Sequence, residues 1–111
     1  MLNEIAAASA VAIEIEIDEA ATPLREEVKG FCEILGLDLL YLANEGKLVA
    51  IVPEKAAEAA LAALRRDPLG REAAVIGRVV QGEPGRVTMR TAFGGSRIVD
   101  MLVGEQLPRI C

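Results

Sequence analysis

The chain has 111 residues, a formal net charge of −5 and a hydrophobic fraction of 52%, which fits one small domain with enough apolar material for a core. The acids are dispersed and the longest basic cluster is Arg65-Arg66, which excludes a surface that tracks nucleic-acid phosphates. No apolar run is long enough to span a bilayer, and two cysteines with no histidine and no CxxC pair exclude a zinc or iron–sulfur site within the chain.

Leu2 to Ser9 reads as a short opening helix with Asn3 as its N-cap. From Val11 to Asp18 the pattern alternates strictly: Val11, Ile13, Ile15 and Ile17 share one face, and Glu14, Glu16 and Asp18 the other. That is a half-buried strand with one wet face. Thr22-Pro23 reads as a cap followed by proline at the first helical position. Leu24, Val28, Phe31 and Leu35 then recur at helical spacing, Cys32 lies beside that stripe, and Gly36 closes the helix. Cys32 is expected to be buried and inert.

Leu39–Ala43 and Lys47–Val52 read as two strands joined by Asn44-Glu45-Gly46, which has hairpin chemistry. Pro53 opens a second helix whose early Glu54 and Glu58 and late Arg65-Arg66 suit the macrodipole. Its stripe is Ala57, Ala60, Leu61 and Leu64, small enough to pack close to a sheet, and Asp67-Pro68-Leu69-Gly70 stops it. Strands are predicted over 74–80 and 86–92, the second with Val87 and Met89 opposite Thr88 and Arg90. Gly94-Gly95 breaks the pattern before an apolar stretch from Ile98 to Val103.

The order is β-α-β-β-α-β with an added strand, the split-βαβ pattern. It predicts an α/β (α+β) domain with a mixed sheet, partial ferredoxin-like topology and helices mainly on one face. Such an architecture hosts many functions and implies none.

Gly94-Gly95-Ser96 lacks the lysine and the following helix of a phosphate loop. Without histidine, no Ser–His–Asp or Cys–His arrangement is possible. Asp18-Glu19 reads as solvated and Asp67 as a helix stop. Asn44 and Glu45 stand either in a plain hairpin turn or at the edge of a site. The ending Leu107-Pro108-Arg109-Ile110-Cys111 places a thiol on the last residue. Pro108 favours extended geometry before it, and the eight residues from Gly104 reach roughly 26–29 Å when extended. The ending is either a reactive arm or a frayed terminus that happens to finish in cysteine.

Several stretches together carry a family resemblance: Leu2–Ala6, Pro23–Val28, Leu37-Asp38, Tyr41–Lys47, Asp67–Gly70, Arg90–Gly95 with Arg97, and Leu107–Cys111. Over essentially its whole length the chain resembles the C-terminal domain of the HypE family of carbamoyl dehydratases, members of the PurM-like superfamily. The resemblance implies a PurM C-terminal-domain-like unit over 1–103 and a flexible tail over 104–111. It implies that Cys111 is the carrier thiol, with Pro108, Arg109 and Ile110 as its motif. In such a family a HypF-type carbamoyltransferase loads the thiol from carbamoyl phosphate. ATP-dependent dehydration then gives a thiocyanate, and cyanide passes to iron on a HypC–HypD complex, toward the site of a [NiFe] hydrogenase.

The family's larger N-terminal ATP-binding domain, which supplies the dimer interface and most ATP and magnesium ligands, has no counterpart in this sequence. Met1 is therefore expected to start a fragment that is inactive alone and binds neither ATP nor magnesium by itself, from a full-length protein that is a homodimer. No nucleic-acid or membrane partner is expected. Asn3-Glu4 replaces the basic region of a signal peptide, so the cytoplasm is the expected compartment. The alternatives are a ferredoxin-like regulatory module with a closed small-ligand pocket and no role for Cys111, or another PurM-like ATP-dependent enzyme.

Overall fold

A computed structural model describes residues 1–9, 13–42 and 44–101. Helix α1 (Leu2–Ala8) is followed by strand β1 (Ile13–Asp18), helix α2 (Glu26–Leu35) and helix α3 (Ala57–Arg65). Strands β2 (Gly77–Gln81), β3 (Arg86–Arg90) and β4 (Ser96–Ile98) close the order. The four strands form one mixed sheet in the order β2-β1-β3-β4. β1 pairs antiparallel with β2 and parallel with β3, and β3 pairs antiparallel with β4. The expected α+β class with a mixed sheet is what is found. No helix among the described residues is long and apolar enough to cross a membrane.

The alternation in β1 and β3 decides the sheet's two faces. Ile15, Ile17, Val87 and Met89 point to one face and are buried, Val87 at 1% and Met89 at 3% exposure. Ala6 of α1 and Val99, just past β4, complete this core, with Leu2, Ile5, Leu40 and Tyr41 packed at its margin. The register sets Glu14 and Glu16 on the other face opposite residues of both neighbouring strands, and Asp18 opposite Arg90 of β3. Arg78 donates to Glu16 at 2.6 Å, Thr88 donates to Glu14 at 3.0 Å, and Arg90 pairs with Asp18. The Arg90 hydrogen bond holds the Asp18 carboxyl below the usual carboxylate range.

Several local expectations are corrected by tertiary partners. Met1, not Asn3, is the N-cap of α1. The Asn3 amide instead donates to the Val99 carbonyl at 2.9 Å and ties α1 to the end of the sheet. Thr22 does not cap α2, because its hydroxyl donates to the Asp18 carbonyl at 2.9 Å; the helix begins later, with Arg25 as N-cap. Gly36 does close α2, in the left-handed conformation expected of it. Pro53 opens a single 3₁₀ turn, Glu54–Ala56, ahead of α3.

Two larger corrections concern the middle of the chain. The predicted strands over 39–43 and 47–52 form no ladder among the described residues. Leu39–Tyr41 is a 3₁₀ turn, and 47–52 lies outside regular structure. A lone hairpin is marginal without a sheet to join, and Leu48 and Ile51 face solvent instead of a partner. The predicted apolar stripe of α2 is exposed as well, with Phe31 at 64% and Leu35 at 53%. No residue of α2 or α3 belongs to the buried core cluster, so the expected packing of α3 against the sheet is not found.

Candidate functional site

The segment 38–47 holds Asn44 and Glu45, which the sequence leaves either in a plain hairpin turn or at the edge of a site. Its first half is a 3₁₀ turn built by Asp38. The Asp38 Oδ1 accepts from the Leu40 N–H at 3.0 Å, and the Asp38 carbonyl accepts from the Tyr41 N–H at 3.1 Å. A short acidic side chain that folds back on the next backbone amides favours a turn over a strand, which explains why the apolar run Leu39–Leu42 does not extend. Beyond it Asn44, Glu45 and Lys47 are exposed, and Gly46 has φ 77°. The turn chemistry of Asn-Glu-Gly is therefore kept even though the flanking strands are not.

A cleft of about 630 Å³ opens at this segment. The approach to α2 forms one wall, with Leu24, Arg25 and Val28; Leu39, Leu42 and the 44–47 turn form the other. The cleft's lining carries two cations, Arg25 and Lys47, and two carboxylates, Glu45 and Glu72. Asn44 and Glu45 are among the residues that line this cleft. The cleft is bordered by exposed side chains, unlike the closed pocket that a small-ligand sensor would need.

Sequence reasoning missed what holds this turn. Asp38 also pairs with Arg97 of β4 at 2.7 Å. The Tyr41 hydroxyl donates to the Asp100 carbonyl at 2.9 Å. These residues are 59 apart in each pair, so periodicity could not link them. The only signal was that Leu37-Asp38, Tyr41 and Arg97 fall in the stretches that carry the family resemblance.

The remaining candidates separate. Cys32 is buried at 3% exposure inside α2, and its carbonyl accepts from the Leu37 N–H at 2.9 Å. That agrees with a structural thiol. Pro108, Arg109, Ile110 and Cys111 lie outside the described residues, as does the whole segment 104–111. Among the described residues no group of three or more Asp, Glu, His or Cys side chains is placed to hold a metal ion.

The family model for AIR synthase related protein, C-terminal domain, matches residues 1–90. The chain belongs to that family. It is also 66% identical to carbamoyl dehydratase HypE of Rhodobacter capsulatus, over 99% of this chain and 32% of the relative. A crystal structure of the hydrogenase maturation protein HypE in complex with ATP superposes with a TM-score of 0.88 at 52% identity, covering 99% of this chain and 33% of that one. A crystal structure of a HypE–HypF complex gives a TM-score of 0.80 at 42% identity, covering 89% of this chain and 31% of that one. The chain therefore spans about a third of the length of the relatives it matches.

Proposed function

We propose that this chain is the C-terminal domain of a hydrogenase-maturation carbamoyl dehydratase, in which residues 1–103 form the domain and residues 104–111 the arm that carries Cys111. The observation that carries this reading is the 66% identity to a carbamoyl dehydratase HypE across 99% of the chain. The terminal thiol gives it a chemical purpose. A carrier has to visit a loading partner, a dehydration site and an acceptor, and a thiol on an arm meets each without a local pocket of its own. The HypE–HypF complex supports a HypF-type carbamoyltransferase as the loading partner. A HypC–HypD iron complex is the proposed acceptor.

The chemistry balances as follows. The Cys111 thiolate attacks the carbamoyl carbon of carbamoyl phosphate; a C–S bond forms and phosphate leaves. The S-carbamoyl group then loses its oxygen and both amide protons to become S–C≡N. Amide oxygen is a poor leaving group, and ATP supplies the phosphoryl group that makes it a good one, leaving ADP and phosphate. ATP and magnesium belong to the proposed full-length protein, a reading supported by a similar HypE solved in complex with ATP, of which this chain covers 33%. The nucleotide is assigned to the part of the relatives outside this chain, with homodimerisation of the full-length protein there too. What this chain contributes is the carrier thiol and the Asn44–Glu45 rim, an amide and a carboxylate suited to hydrogen-bond a carbamoyl group.

The test is an intact mass of the full-length protein after incubation with a HypF-type partner, carbamoyl phosphate and ATP, beside Cys111→Ala. Successive carbamoyl and cyano adducts are expected on the wild type alone. Adducts on the Cys111→Ala protein would overturn the assignment. Cys111 should also react with a neutral thiol reagent far faster than buried Cys32; equal rates in the folded chain would argue against an exposed arm.

A further inference from the structure

We propose that Asp38, Tyr41 and Arg97 are positioning residues, which clamp the root of the carrier arm to the turn that bears Asn44 and Glu45. The inference rests on the carrier reading above and adds to it residues with no role in loading the thiol.

The geometry is two stitches across one seam. On one side is the turn 38–41, which continues through Leu42 into the rim residues Asn44 and Glu45. On the other is the chain leaving the sheet, from Arg97 in β4 through Val99 to Asp100. Arg97 pairs with Asp38 at 2.7 Å, and Tyr41 donates to the Asp100 carbonyl at 2.9 Å. The exit itself is anchored: the Val99 N–H donates to Val87 at 2.8 Å and the Val99 carbonyl accepts from Asn3 at 2.9 Å. Asp100 is thus a fixed origin eleven residues before Cys111, a span of at most about 36–40 Å.

Among the described residues the turn lies in no strand ladder, so these two stitches and the packing of Leu40 and Tyr41 at the margin of the core set its direction. The neighbouring helix α2 contributes nothing to the core cluster. Tying an arm's origin and a reaction rim to one rigid seam raises the effective concentration of the carried group at that rim. It leaves encounter with an outside loading partner unaffected. That asymmetry is what distinguishes positioning from general stability.

The experiment uses the full-length protein with Tyr41→Phe, which removes only the hydroxyl, and Asp38→Asn, which keeps an acceptor for the Leu40 amide and loses the charge. Arg97→Lys is the further variant should either of these fail to fold. Carbamoyl loading and single-turnover dehydration are followed separately. Loading is expected to stay within about twofold of wild type, and the dehydration rate constant to fall about three- to tenfold, the loss of one net hydrogen bond. Hydrogen exchange gives a readout independent of turnover. The Leu40 and Tyr41 amides should lose protection by a similar three- to tenfold, about one net hydrogen bond, while Val99 keeps its own. Unchanged dehydration in the variants, or an equal fall in loading and dehydration, overturns the clamp while leaving Cys111 as carrier. Loading of a Cys111→Ser protein to the wild-type level instead overturns the carrier reading, and the clamp with it.

Discussion

The two halves of this domain spend similar apolar residues in different ways. Around the sheet, Ile15, Ile17, Val87 and Met89 meet α1 and disappear from solvent. Along α2 and the segment after it, Phe31, Ile34, Leu35, Leu48 and Ile51 remain exposed. The buried set follows a strand's period, and Phe31, Ile34 and Leu35 follow a helix's. Periodicity therefore identifies a face but not what covers it, and only the first face finds its cover within the described residues.

The largest expected effect tests the buried half. Met89→Ala should cost about 2–5 kcal/mol, the usual loss for truncating a buried Met, read as a shift in the urea midpoint of the 111-residue chain. A much smaller cost would mean that the sheet–α1 core is not what holds the domain together. Next comes the tie between α1 and the sheet's end. Asn3→Ala should cost about 0.5–1.5 kcal/mol, the net value of one hydrogen bond, and should speed exchange of amides in both α1 and the Val99 region. Were Asn3 only a helix cap, exchange would change in α1 alone.

In the other half, Phe31→Ser should alter stability by no more than about 0.5 kcal/mol, as for an exposed substitution. A loss as large as that of Met89→Ala would show that the α2 face is covered after all. The smallest effect concerns the wet face of the sheet. Hydrogen bonding by Arg90 lowers the Asp18 carboxyl below the ordinary aspartate value of 3.8. A depressed folded value means that this group stabilises the fold above the unfolded value near 3.8, and that the contribution is lost as pH falls through the lower folded value. Arg90 is exposed and Asp18 only half-buried, so the effect is small. With Arg90→Gln the Asp18 titration should move upward toward 3.8, followed by its carboxyl carbon shift; no movement would remove Arg90 as the cause.

How much was legible differs along the chain for the same reason. Ile15, Ile17, Val87 and Met89 were readable because a strand's two-residue alternation is local. Gly36 was readable because ending a helix needs a left-handed residue whatever lies around it. Asn3 and Thr22 were misread because each side chain had two possible acceptors, a local one and a distant one, and the distant one won in both cases. The Leu39–Val52 hairpin was misread because strands require partners, and Asp38 favours a turn in the absence of one. At the candidate site, Asn44 and Glu45 were legible as a turn, with the edge of a site as the alternative; the ties from Asp38 and Tyr41 to Arg97 and Asp100 were not legible, because they cross 59 residues.

By itself, then, the sequence determined the alternation of β1 and β3, the helix stop at Gly36 and the turn at Asn44–Gly46, since all of these depend on residues close together in the chain. The tertiary structure alone decided that β1 lies between β2 and β3, that the α2 stripe is exposed among the described residues, and that Asp38 and Tyr41 meet Arg97 and Asp100 across 59 residues. Those outcomes depend on which surfaces remove water from one another, and that competition is settled only once the whole chain has folded.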